Sequence, residues 1–435
     1  MREMKDSGVE WIGEIPKEWK TRKIKNVATL AGRIGWQGLT SNEYCEEGAY
    51  LITGINFKNG IIEWDKCFHI PISRWEEATQ IQIQEGDLLI TKDGTVGKVA
   101  IAKDIPGKTS LNSGVLLIRN NNECHTKFLF WLLNSEVFWK WFIIINAGNS
   151  TIIHLYQHSF ENFSFPFPKL NEQKRVVDYL DKKCSKIDEI IEKQQAIIEK
   201  LKEYKLSVIT EAVTKGLNPD VEMKDSGIEW IGKIPKKWKM VKLNSICDDI
   251  RNGYVGPTRN ILVDDGVPYI QSLNVKDGTI SFEKGKYFVS EEWGKQHPKV
   301  YEGQIVIVQT GDIGQVGLVK KNMNGYNCHA LIIVSLNTQY VFPSYVQYYF
   351  RSKPGKELLL ETSTGALLPH LNSGRIKSTS IVSPNVIEQK NIAHYLDGFC
   401  EKIDNAVDKK EIIIERLKEY KKSLIYEVVT GKKEI

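Results

Sequence analysis

Apolar residues recur with a period of seven in two stretches of the chain. The first series consists of Leu180, Ile187, Gln194, Leu201 and Val208, and a parallel series starts four residues later at Cys184. The second stretch repeats the pattern at Leu396, Ile403, Lys410, Leu417 and Leu424. Alternating spacings of three and four residues are typical of a helix that packs along another helix. The pattern predicts two long helices, over residues 171–216 and 387–435, joined by a coiled-coil seam.

One polar residue interrupts the seam at the same place in each stretch. Gln194 and Lys410 are separated by 216 residues, the offset that relates the two stretches. A polar residue there either leaves the seam locally solvated or fixes the register of the paired helices. Both interpretations stay open at the level of sequence.

Helix start and stop signals flank these stretches. A proline precedes each stretch, and Asn385 with Glu388 is spaced like a capping box. Gly216 and Gly431 follow the last heptad positions and predict the two helix ends. A helix of about 43 residues would be roughly 65 Å long.

The helical stretches belong to a duplication of nearly the whole chain. Residues 4–19 and 223–238 agree at 13 of 16 positions, and residues 172–205 and 388–421 agree at 19 of 34. A repeat of this length is too long for a solenoid and predicts tandem domains. Because each helix has only its twin as an equally long partner, we expect an antiparallel pair with pseudo-twofold symmetry and a globular domain at either end. The predicted segments are a globular domain (1–170), a central helix (171–216), a second globular domain (217–386) and a C-terminal helix (387–435).

Short β-rich runs alternate with polar loops in each globular half. The predicted strands are Tyr50–Thr53, Asp87–Thr91, Lys98–Ala102, Gly114–Arg119, Tyr269–Ser272, Gln304–Gln309, Val316–Lys320 and Ala330–Leu336. One amphipathic helix per half is expected, near Lys127–Phe142 and near Ser344–Arg351. The pattern predicts the α+β class for both globular halves.

Polar, glycine-rich loops at equivalent places in the two halves are the candidate binding residues. Arg, Asn and Gln carry the paired donors and acceptors that read base edges, whereas Lys, Thr and Tyr reach phosphates. In the first half the candidates are Arg33, Trp36, Gln37, Thr40, Asn42, Lys92, Thr95 and Lys98. In the second half they are Arg251, Asn252, Tyr254, Thr258, Arg259, Asn260, Gln309 and Gln315. Any single residue of this kind is more often an ordinary loop residue, and only the recurrence of the arrangement in both halves favours a binding role.

Two tryptophan pairs recur with the duplication. Trp11 and Trp19 of the first half correspond to Trp230 and Trp238 of the second. Large aromatic side chains at repeated positions are more typical of core anchors than of base-stacking residues. We therefore expect all four tryptophans to be buried.

Composition and charge narrow the class of protein. Among 435 residues, 41% are hydrophobic and 26% are charged, which is an ordinary globular balance. The net charge of +5 permits a polyanionic partner without requiring one. An apolar run long enough to span a bilayer, a secretion signal and a Cys-x-x-Cys motif are all missing from the sequence. These features predict a cytoplasmic protein with reduced thiols.

Catalytic and metal sites are not predicted. Residues 102–109 (AKDIPGKT) are similar to a phosphate-binding loop, but Ala102 replaces the first glycine and Pro106 removes a backbone donor. The Asn/Asp-Pro-Pro-aromatic motif of adenine methyltransferases is missing, and the eight histidines lack the spacing of metal ligands. The chain is expected to be non-catalytic.

The order of the repeated motifs resembles one known family, the specificity subunits of type I restriction–modification systems. The similarity extends over essentially the whole chain, and both halves carry it. In the first half its motifs are Asp6-Ser7-Gly8, Glu10-Trp11-Ile12-Gly13, Ile15-Pro16, Glu172-Gln173-Lys174, Tyr179-Leu180-Asp181 and Lys186-Ile187-Asp188.

This resemblance implies a function and a set of partners. Each variable domain would be a target recognition domain that reads one half of a bipartite site on double-stranded DNA. The helices would space the half-sites and dock two copies of the modification (methyltransferase) subunit, and a further ATP-dependent restriction subunit would cut the DNA. S-adenosylmethionine, ATP and magnesium would then bind to those partners, and this chain would carry no cofactor.

Two rival functions can be separated from this one. A scaffold whose globular domains bind proteins would not show salt-sensitive, sequence-selective DNA binding. A self-sufficient methyltransferase–nuclease would need motifs that this sequence lacks.

Because the candidate loops differ between the halves, the resemblance predicts an asymmetric target. Inserting four residues after Gln194 should then change the gap between the half-sites and not their sequences.

Overall fold

A computed structural model describes residues 2–147, 154–365 and 369–435 of the chain. It divides into two compact units. Unit 1 comprises Met1–Gln194 with Ile412–Ile435, and unit 2 comprises Gln195–Glu411. Each unit therefore contains one globular half together with portions of both long helices.

The helices range from one turn to more than forty residues. In chain order they are α1 (Ile72–Glu76), α2 (Thr126–Leu133), α3 (Glu136–Ile145), α4 (Gln157–Phe160), α5 (Leu170–Lys215), α6 (Glu291–Gln296), α7 (Pro343–Arg351), α8 (Lys353–Glu361), α9 (Ser373–Ser378) and α10 (Val386–Val429). In the described ranges, no single helix is long and apolar enough to cross a membrane. By length and composition alone, α2 and α3 would pass that test as a pair, but they are bent by 60° at their junction.

Unit 1 is built around a four-stranded antiparallel sheet of order β10-β9-β12-β4. A three-stranded sheet, β11-β5-β8, lies in the same unit and contains a parallel pair, β11 with β5. The strands of unit 1 are β1 (Met4–Asp6), β2 (Glu14–Pro16), β3 (Lys20–Lys23), β4 (Ala28–Gly32), β5 (Ala49–Ile52), β6 (Phe57–Lys58), β7 (Ile61–Ile62), β8 (Phe68–Ile70), β9 (Leu88–Thr91), β10 (Val99–Ile101), β11 (Thr109–Leu111), β12 (Val115–Asn120) and β13 (Ser164–Phe167).

Unit 2 repeats this plan. Its four-stranded antiparallel sheet has the order β17-β26-β23-β24, and a second sheet has the order β18-β22-β19-β25. The strands of unit 2 are β14 (Met223–Asp225), β15 (Lys233–Pro235), β16 (Lys239–Lys242), β17 (Cys247–Asn252), β18 (Leu262–Val263), β19 (Val267–Ile270), β20 (Val275–Lys276), β21 (Thr279–Ile280), β22 (Tyr287–Val289), β23 (Ile305–Val308), β24 (Val316–Leu318), β25 (Asn327–Cys328), β26 (Leu331–Leu336), β27 (Ser363–Thr364), β28 (His370–Leu371) and β29 (Ser380–Ser383).

All eight strands predicted from the sequence are present, with ends shifted by at most two residues. β4 and β17, each at one edge of its four-stranded sheet, were not predicted from the sequence. Their last residues, from Ala31 in β4 and from Ile250 in β17, were assigned to the polar loops that follow. Arg251 and Asn252 therefore lie on a strand, not in a loop.

The prediction of one amphipathic helix per globular half is wrong, because the described part of each half has four helices. The helix predicted near Lys127–Phe142 is two helices, α2 and α3. The helix predicted near Ser344–Arg351 is present as α7, and α8 follows it directly.

Ser135 separates α2 from α3: its hydroxyl donates to the carbonyl of Leu132 (2.6 Å) and accepts from the amide of Val137 (3.2 Å). Ser352 does the same between α7 and α8. A hydroxyl that caps the next helix competes with continuation of the previous one, so the chain bends at each serine.

The two long helices confirm the heptad prediction. They contain 46 and 44 residues, which corresponds to roughly 69 and 66 Å at 1.5 Å per residue. The Asn385 side chain accepts a hydrogen bond from the amide of Glu388 (3.0 Å), as the capping spacing predicted. Gly216 and Gly431 follow the helix ends with φ of 83° and 72°, a conformation that glycine adopts without strain.

The helices pair in opposite directions within each unit. In unit 1, Lys421 contacts Asp188 at 2.6 Å, and Arg175 donates to the carbonyl of Ile435. In unit 2, Lys205 contacts Asp404 at 2.6 Å. Asp188 and Asp404 are equivalent positions of the repeat, as are Lys205 and Lys421, so the two ion pairs use the same positions with the partners exchanged.

None of the predicted seam residues is exposed. The buried ones are Leu180, Ile187, Leu396 and Leu424. The half-buried ones are Gln194, Leu201, Val208, Ile403, Lys410 and Leu417. The two polar seam residues are thus partly shielded from water, like the aliphatic residue at the next seam position after each of them.

The tryptophan prediction is correct for one pair and wrong for Trp230. Trp19 and Trp238 are 1% and 2% exposed, whereas Trp11 is half-buried and Trp230 is 42% exposed. The Trp19 indole also donates to Glu172 of α5 (2.8 Å), which ties the N-terminal segment to the long helix.

We expect Trp19→Ala to lower the free energy of unfolding by about 3–5 kcal/mol, because it removes a large buried side chain. Trp230→Ala should lower it by less, since 42% of this side chain is already exposed to solvent. Urea unfolding of the two variants would measure the difference. Equal effects would contradict the anchoring role of Trp19.

Candidate nucleic-acid interface

The candidate loops of unit 1 leave the same edge of the four-stranded sheet. Gly32, the last residue of β4, pairs with Leu116, and Thr91, the last residue of β9, pairs with Val115. The loop after β4 and the glycine turn Lys92–Lys98 therefore start side by side. We call this edge, where β4 and β9 end and β12 begins, the turn edge of unit 1.

Unit 2 has an equivalent turn edge. Asn252 at the end of β17 pairs with Ile332, and Val308 at the end of β23 pairs with Leu331. The glycine turn Gln309–Gln315 follows β23 there. The duplication thus places the starts of the candidate segments at equivalent edges of the two four-stranded sheets.

The glycine turn of unit 1 is held rigidly. The Thr91 hydroxyl donates to the carbonyl of Thr95 and accepts from the amide of Lys98 (2.9 Å). Gly97 has φ of 86°, and a Cβ on it would lie 2.6 Å from the Trp139 ring. Only glycine fits this position. The exposed side chains of Thr95 and Lys98 are therefore presented on a fixed support.

Lys92 joins the turn to the neighbouring loop. Its amide donates to the carbonyl of Gly114 (2.8 Å). Its ammonium nitrogen lies 3.8 Å from where a Cβ on Gly32 would be, next to the end of β4. Of the candidates in unit 1, the structure thus brings Lys92, Thr95 and Lys98 together.

Arg33 and Gln37 lie inside unit 1, at 6% and 2% exposure. The Arg33 guanidinium donates to the carbonyl of Leu111 (2.8 Å), to the hydroxyl of Ser110 (2.9 Å) and to the carbonyl of Gln37 (3.3 Å). Loss of hydration on burial lowers the pKa of Arg33. Its donors fasten the loop to β11, so the structure gives Arg33 a supporting position and not an exposed one.

Gln37 has a similar supporting environment. Its amide nitrogen donates to the carbonyl of Glu77 (2.6 Å), and its side-chain oxygen accepts from Gln80 (2.8 Å). Arg74 donates to the carbonyls of Gln37 and Gly38, so the loop rests on the segment that contains α1. These buried polar contacts could not be inferred from sequence spacing.

The remaining loop candidates of unit 1 lie farther along the same segment. Trp36 lies in the single helical turn Gly35–Gln37, and its side chain is outside the described part of the structure. Thr40 and Asn42 are exposed. The Glu43 carboxylate accepts from the amide of Thr40 (3.0 Å), and this bond lowers the pKa of Glu43. Within the described ranges, Thr40 and Asn42 make no hydrogen bond to the glycine turn.

In unit 2, Arg251 is half-buried and Asn252 is exposed at the end of β17. Arg251 pairs with Asp249 (2.5 Å) and donates to the carbonyl of Lys299 (3.2 Å). Tyr254 follows in the chain, and its amide donates to the carbonyl of Cys328 (3.0 Å). Asn252 therefore stands at the turn edge, whereas Arg251 is engaged with the protein.

The other candidates of unit 2 also divide into exposed residues and residues that are hydrogen-bonded within the protein. Arg259 and Asn260 are exposed, and Thr258 is half-buried. Gln309 is half-buried at the start of the glycine turn, and its amide nitrogen donates to the carbonyl of Leu371 (3.1 Å). Gln315 ends the turn and accepts from the amide of Asp277 (3.3 Å).

An aromatic cluster beside Tyr254 was not found from the sequence. The Tyr254 ring meets Trp293 edge-on at 5.0 Å, and Trp293 stacks on His297 at 3.6 Å. His329 also contacts Tyr254 and Tyr269, and burial lowers the pKa of His329. These residues come from α6, β19 and the segment before β26, and no sequence period connects them.

One pair of histidines related by the repeat offset did indicate the position of the glycine turns. His154 and His370 are 216 residues apart, and both lie beside the glycine turn of their unit: His154 contacts Asp93, and His370 forms a backbone bridge with Thr310. In the described residues, no group of three or more His, Cys, Asp or Glu side chains is placed to hold a metal ion. The arrangement offers hydrogen-bonding groups on a fixed edge.

The sequence model of one protein family matches residues 16–203 and 235–416, which together make up most of the chain. That family is described as the type I restriction modification DNA specificity domain. The chain belongs to this family. It is a specificity subunit of a type I restriction–modification system, with two specificity domains in tandem. Specificity subunits are non-catalytic DNA-recognition proteins, so the expected class of protein is confirmed.

Two similar specificity subunits span nearly the whole chain. The EcoBI specificity subunit of Escherichia coli is 22% identical over 428 residues, covering 93% of this chain and 86% of that protein. The MjaIX specificity subunit of Methanocaldococcus jannaschii is 26% identical over 446 residues, covering 97% of this chain and 94% of that protein.

Solved structures share the fold. A chain described under complex assembly and conformational transition of the type I R-M system matches with a TM-score of 0.72 at 16% identity, covering 95% of this chain and 98% of that chain. The HsdS subunit from Thermoanaerobacter tengcongensis matches with a TM-score of 0.51 at 16% identity, covering 96% and 98%. At this identity the likeness concerns the fold, and it confirms the α+β class with long paired helices.

Proposed function

We propose that the turn edge of each unit reads one half of an asymmetric, bipartite site on double-stranded DNA. The observation that carries the proposal is the equivalence of the two edges. The same strands end in the same register in both units, yet the side chains at the edge differ. Lys92, Thr95 and Lys98 stand in unit 1 where Gln309, Asp312 and Gln315 stand in unit 2. Two edges with the same backbone register and different side chains are suited to two half-sites of different sequence.

The proposed roles differ between exposed and engaged side chains. Thr95, Lys98, Asn252 and Arg259 are exposed and would contact phosphates or base edges. Arg33 and Gln37 would hold the loop that carries Thr40 and Asn42. This division follows from the buried hydrogen bonds described above, because a guanidinium already bonded to three protein groups has little left for a base.

The long helices would act as a spacer and as the docking surface for two copies of the modification subunit. That subunit would bind S-adenosylmethionine and methylate adenine at N6. A further restriction subunit would use ATP and magnesium. The complex would work in the cytoplasm. Balanced charge on the paired helices suits contact with protein more than contact with DNA, and the lack of catalytic motifs in this chain agrees with chemistry supplied by partners.

The test compares two lysines of equal charge on the same sheet of the assembled complex. Lys98 lies at the turn edge, whereas Lys25 precedes β4 at the opposite edge, where its ammonium contacts Asn162 (3.1 Å). The target is first mapped as methylated adenines after co-expression with the modification subunit. We then expect Lys98→Ala to weaken binding to this duplex and to reduce the slope of log affinity against log salt by about 1. Lys25→Ala should change neither quantity, and equal effects would contradict the assignment of the turn edge.

A further inference from the structure

In each unit, a short segment is fastened to the glycine turn; it starts at His154 in unit 1 and at His370 in unit 2. In unit 1 the amide of Leu155 donates to the carbonyl of Lys92 (3.0 Å). In unit 2 the amide of Leu371 donates to the carbonyl of Gln309 (3.0 Å). Lys92 and Gln309 are the first residues of their turns, and both leucines are fully buried. The attachment is therefore the same in both units.

The preceding histidines meet the second residue of each turn. His154 pairs with the carboxylate of Asp93, and His370 forms its backbone bridge with Thr310. Asp93 and Thr310 are equivalent positions, 217 residues apart. His370 also contacts the hydroxyl of Thr364 at 3.0 Å. Each histidine thus places its segment against the exposed part of the turn.

The residues after the buried leucine differ completely between the units. In unit 1 they are Tyr156, Gln157 and His158, and in unit 2 they are Asn372, Ser373 and Gly374, followed by Arg375. Tyr156 is 51% exposed, and its ring lies 4.5 Å from that of His154 and 5.7 Å from that of His158. Asn372 and Arg375 are exposed as well. The shared leucine is therefore buried, whereas most of the residues that differ face solvent.

Gln157 gives the unit 1 segment its second attachment. Its amide nitrogen donates to the carbonyl of Leu30 in β4 (3.2 Å) and contacts Glu161 (3.2 Å). The segment therefore lies against both β4 and the turn after β9, the two strands that define the turn edge. Exposed phenol and imidazole groups at this place add donors and acceptors to those of Thr95 and Lys98.

We propose that residues 154–158 and 370–375 are a further base-reading element of each unit, with Tyr156 and His158 determining specificity in unit 1 and Arg375 in unit 2. The ligand is one half-site of duplex DNA, so this inference rests on the proposed function. Phenol, imidazole and guanidinium groups are suited to base edges and adjacent phosphates, and guanidinium pairs best with guanine. The sequence motifs did not mark this element, since only its first two residues, a histidine and a leucine, are repeated.

The test uses the full chain assembled with its modification subunit and the variants Tyr156→Ala, His158→Ala and their combination. Both side chains are exposed, so we expect unchanged thermal unfolding. Affinity is measured on duplexes with single-base substitutions in each half-site, and methylated positions are mapped after co-expression. We expect discrimination at one or more positions of one half-site to fall at least about tenfold, with the other half-site unchanged. Arg375→Ala should do the same to the opposite half-site.

Two controls lie at the opposite edges of the same sheets. Asn122 follows the end of β12, and Tyr340 follows the end of β26; both are exposed, and their alanine variants should leave both half-sites unchanged. The inference is overturned if the Tyr156 and His158 variants keep the full specificity of a complex that still methylates a bipartite site. It is also overturned if they weaken both half-sites equally. If the unaltered complex recognises no bipartite site, the proposed function fails instead.

Discussion

A chain in which residues 20–165 are replaced by the corresponding segment of another specificity subunit methylates a motif altered in one half only. We expect this because residues 20–165 contain the turn edge of unit 1 and leave unit 2 untouched. The graft is also structurally favourable. Its ends lie in β3 and β13, which pair with each other, with Phe165 opposite Arg22. The two junctions are therefore neighbours in one antiparallel ribbon.

The measurement is the methylated motif, mapped after co-expression with the modification subunit. The matched control replaces residues 239–381, whose ends lie in the equivalent pair β16 and β29. It should alter the other half of the motif. Because Phe165 and Ile381 are buried, the donor segments must keep apolar residues there. A motif that changes in both halves, or in neither, would refute independent reading by the two units.

Lengthening both long helices should widen the gap between the half-sites without changing their sequences. Seven residues inserted after Gln194 and seven after Lys410 preserve every heptad position, because the period of the seam is seven. Each insertion adds about 10.5 Å of helix. This length corresponds to roughly three base pairs of duplex. We expect the mapped gap to grow by up to about three base pairs.

Four residues inserted after Gln194 alone provide a contrasting variant. Four residues add about 6 Å and displace the seam by roughly 40°, since each residue turns a helix by about 100°. We expect a changed gap together with a lower free energy of unfolding, because aliphatic seam residues then face water. An unchanged gap in both insertion variants would contradict the spacer role of the helices, but it would not contradict DNA recognition by the two units.

The long helices were predictable because a period of seven survives over more than forty residues and each end carries its own signal. Asn385 and Gly216 act locally, so the sequence alone places them correctly. The strands β4 and β17 were missed because their last residues continue into the polar loops, whereas the edge strands β10 and β24 were predicted. The break at Ser135 was missed because apolar residues continue through it, and only a hydroxyl bonded to Leu132 and Val137 marks the boundary.

The candidate interface was only partly predictable for the same reason. Glycine turns are recognisable, since positive φ favours glycine, and the duplication identified the two equivalent turns. Burial of a polar side chain depends on partners far away in sequence. Arg33 bonds to Leu111 and Gln37 to Glu77, and nothing in the local sequence distinguishes these residues from the exposed Asn42. Tyr156 was not predicted because the residues before it, His154 and Leu155, have repeated counterparts and Tyr156 does not.

The ion pairs between the long helices restrict the substitutions that each half of the duplication can accept. A substitution at Asp188 keeps its ion pair only if it retains a negative charge opposite Lys421, and the same holds for Asp404 opposite Lys205. Substitutions in one half therefore depend on residues of the other half. The helical segments agree at 19 of 34 positions, whereas the glycine turns agree at only two of seven, Gly94 with Gly311 and Gly97 with Gly314.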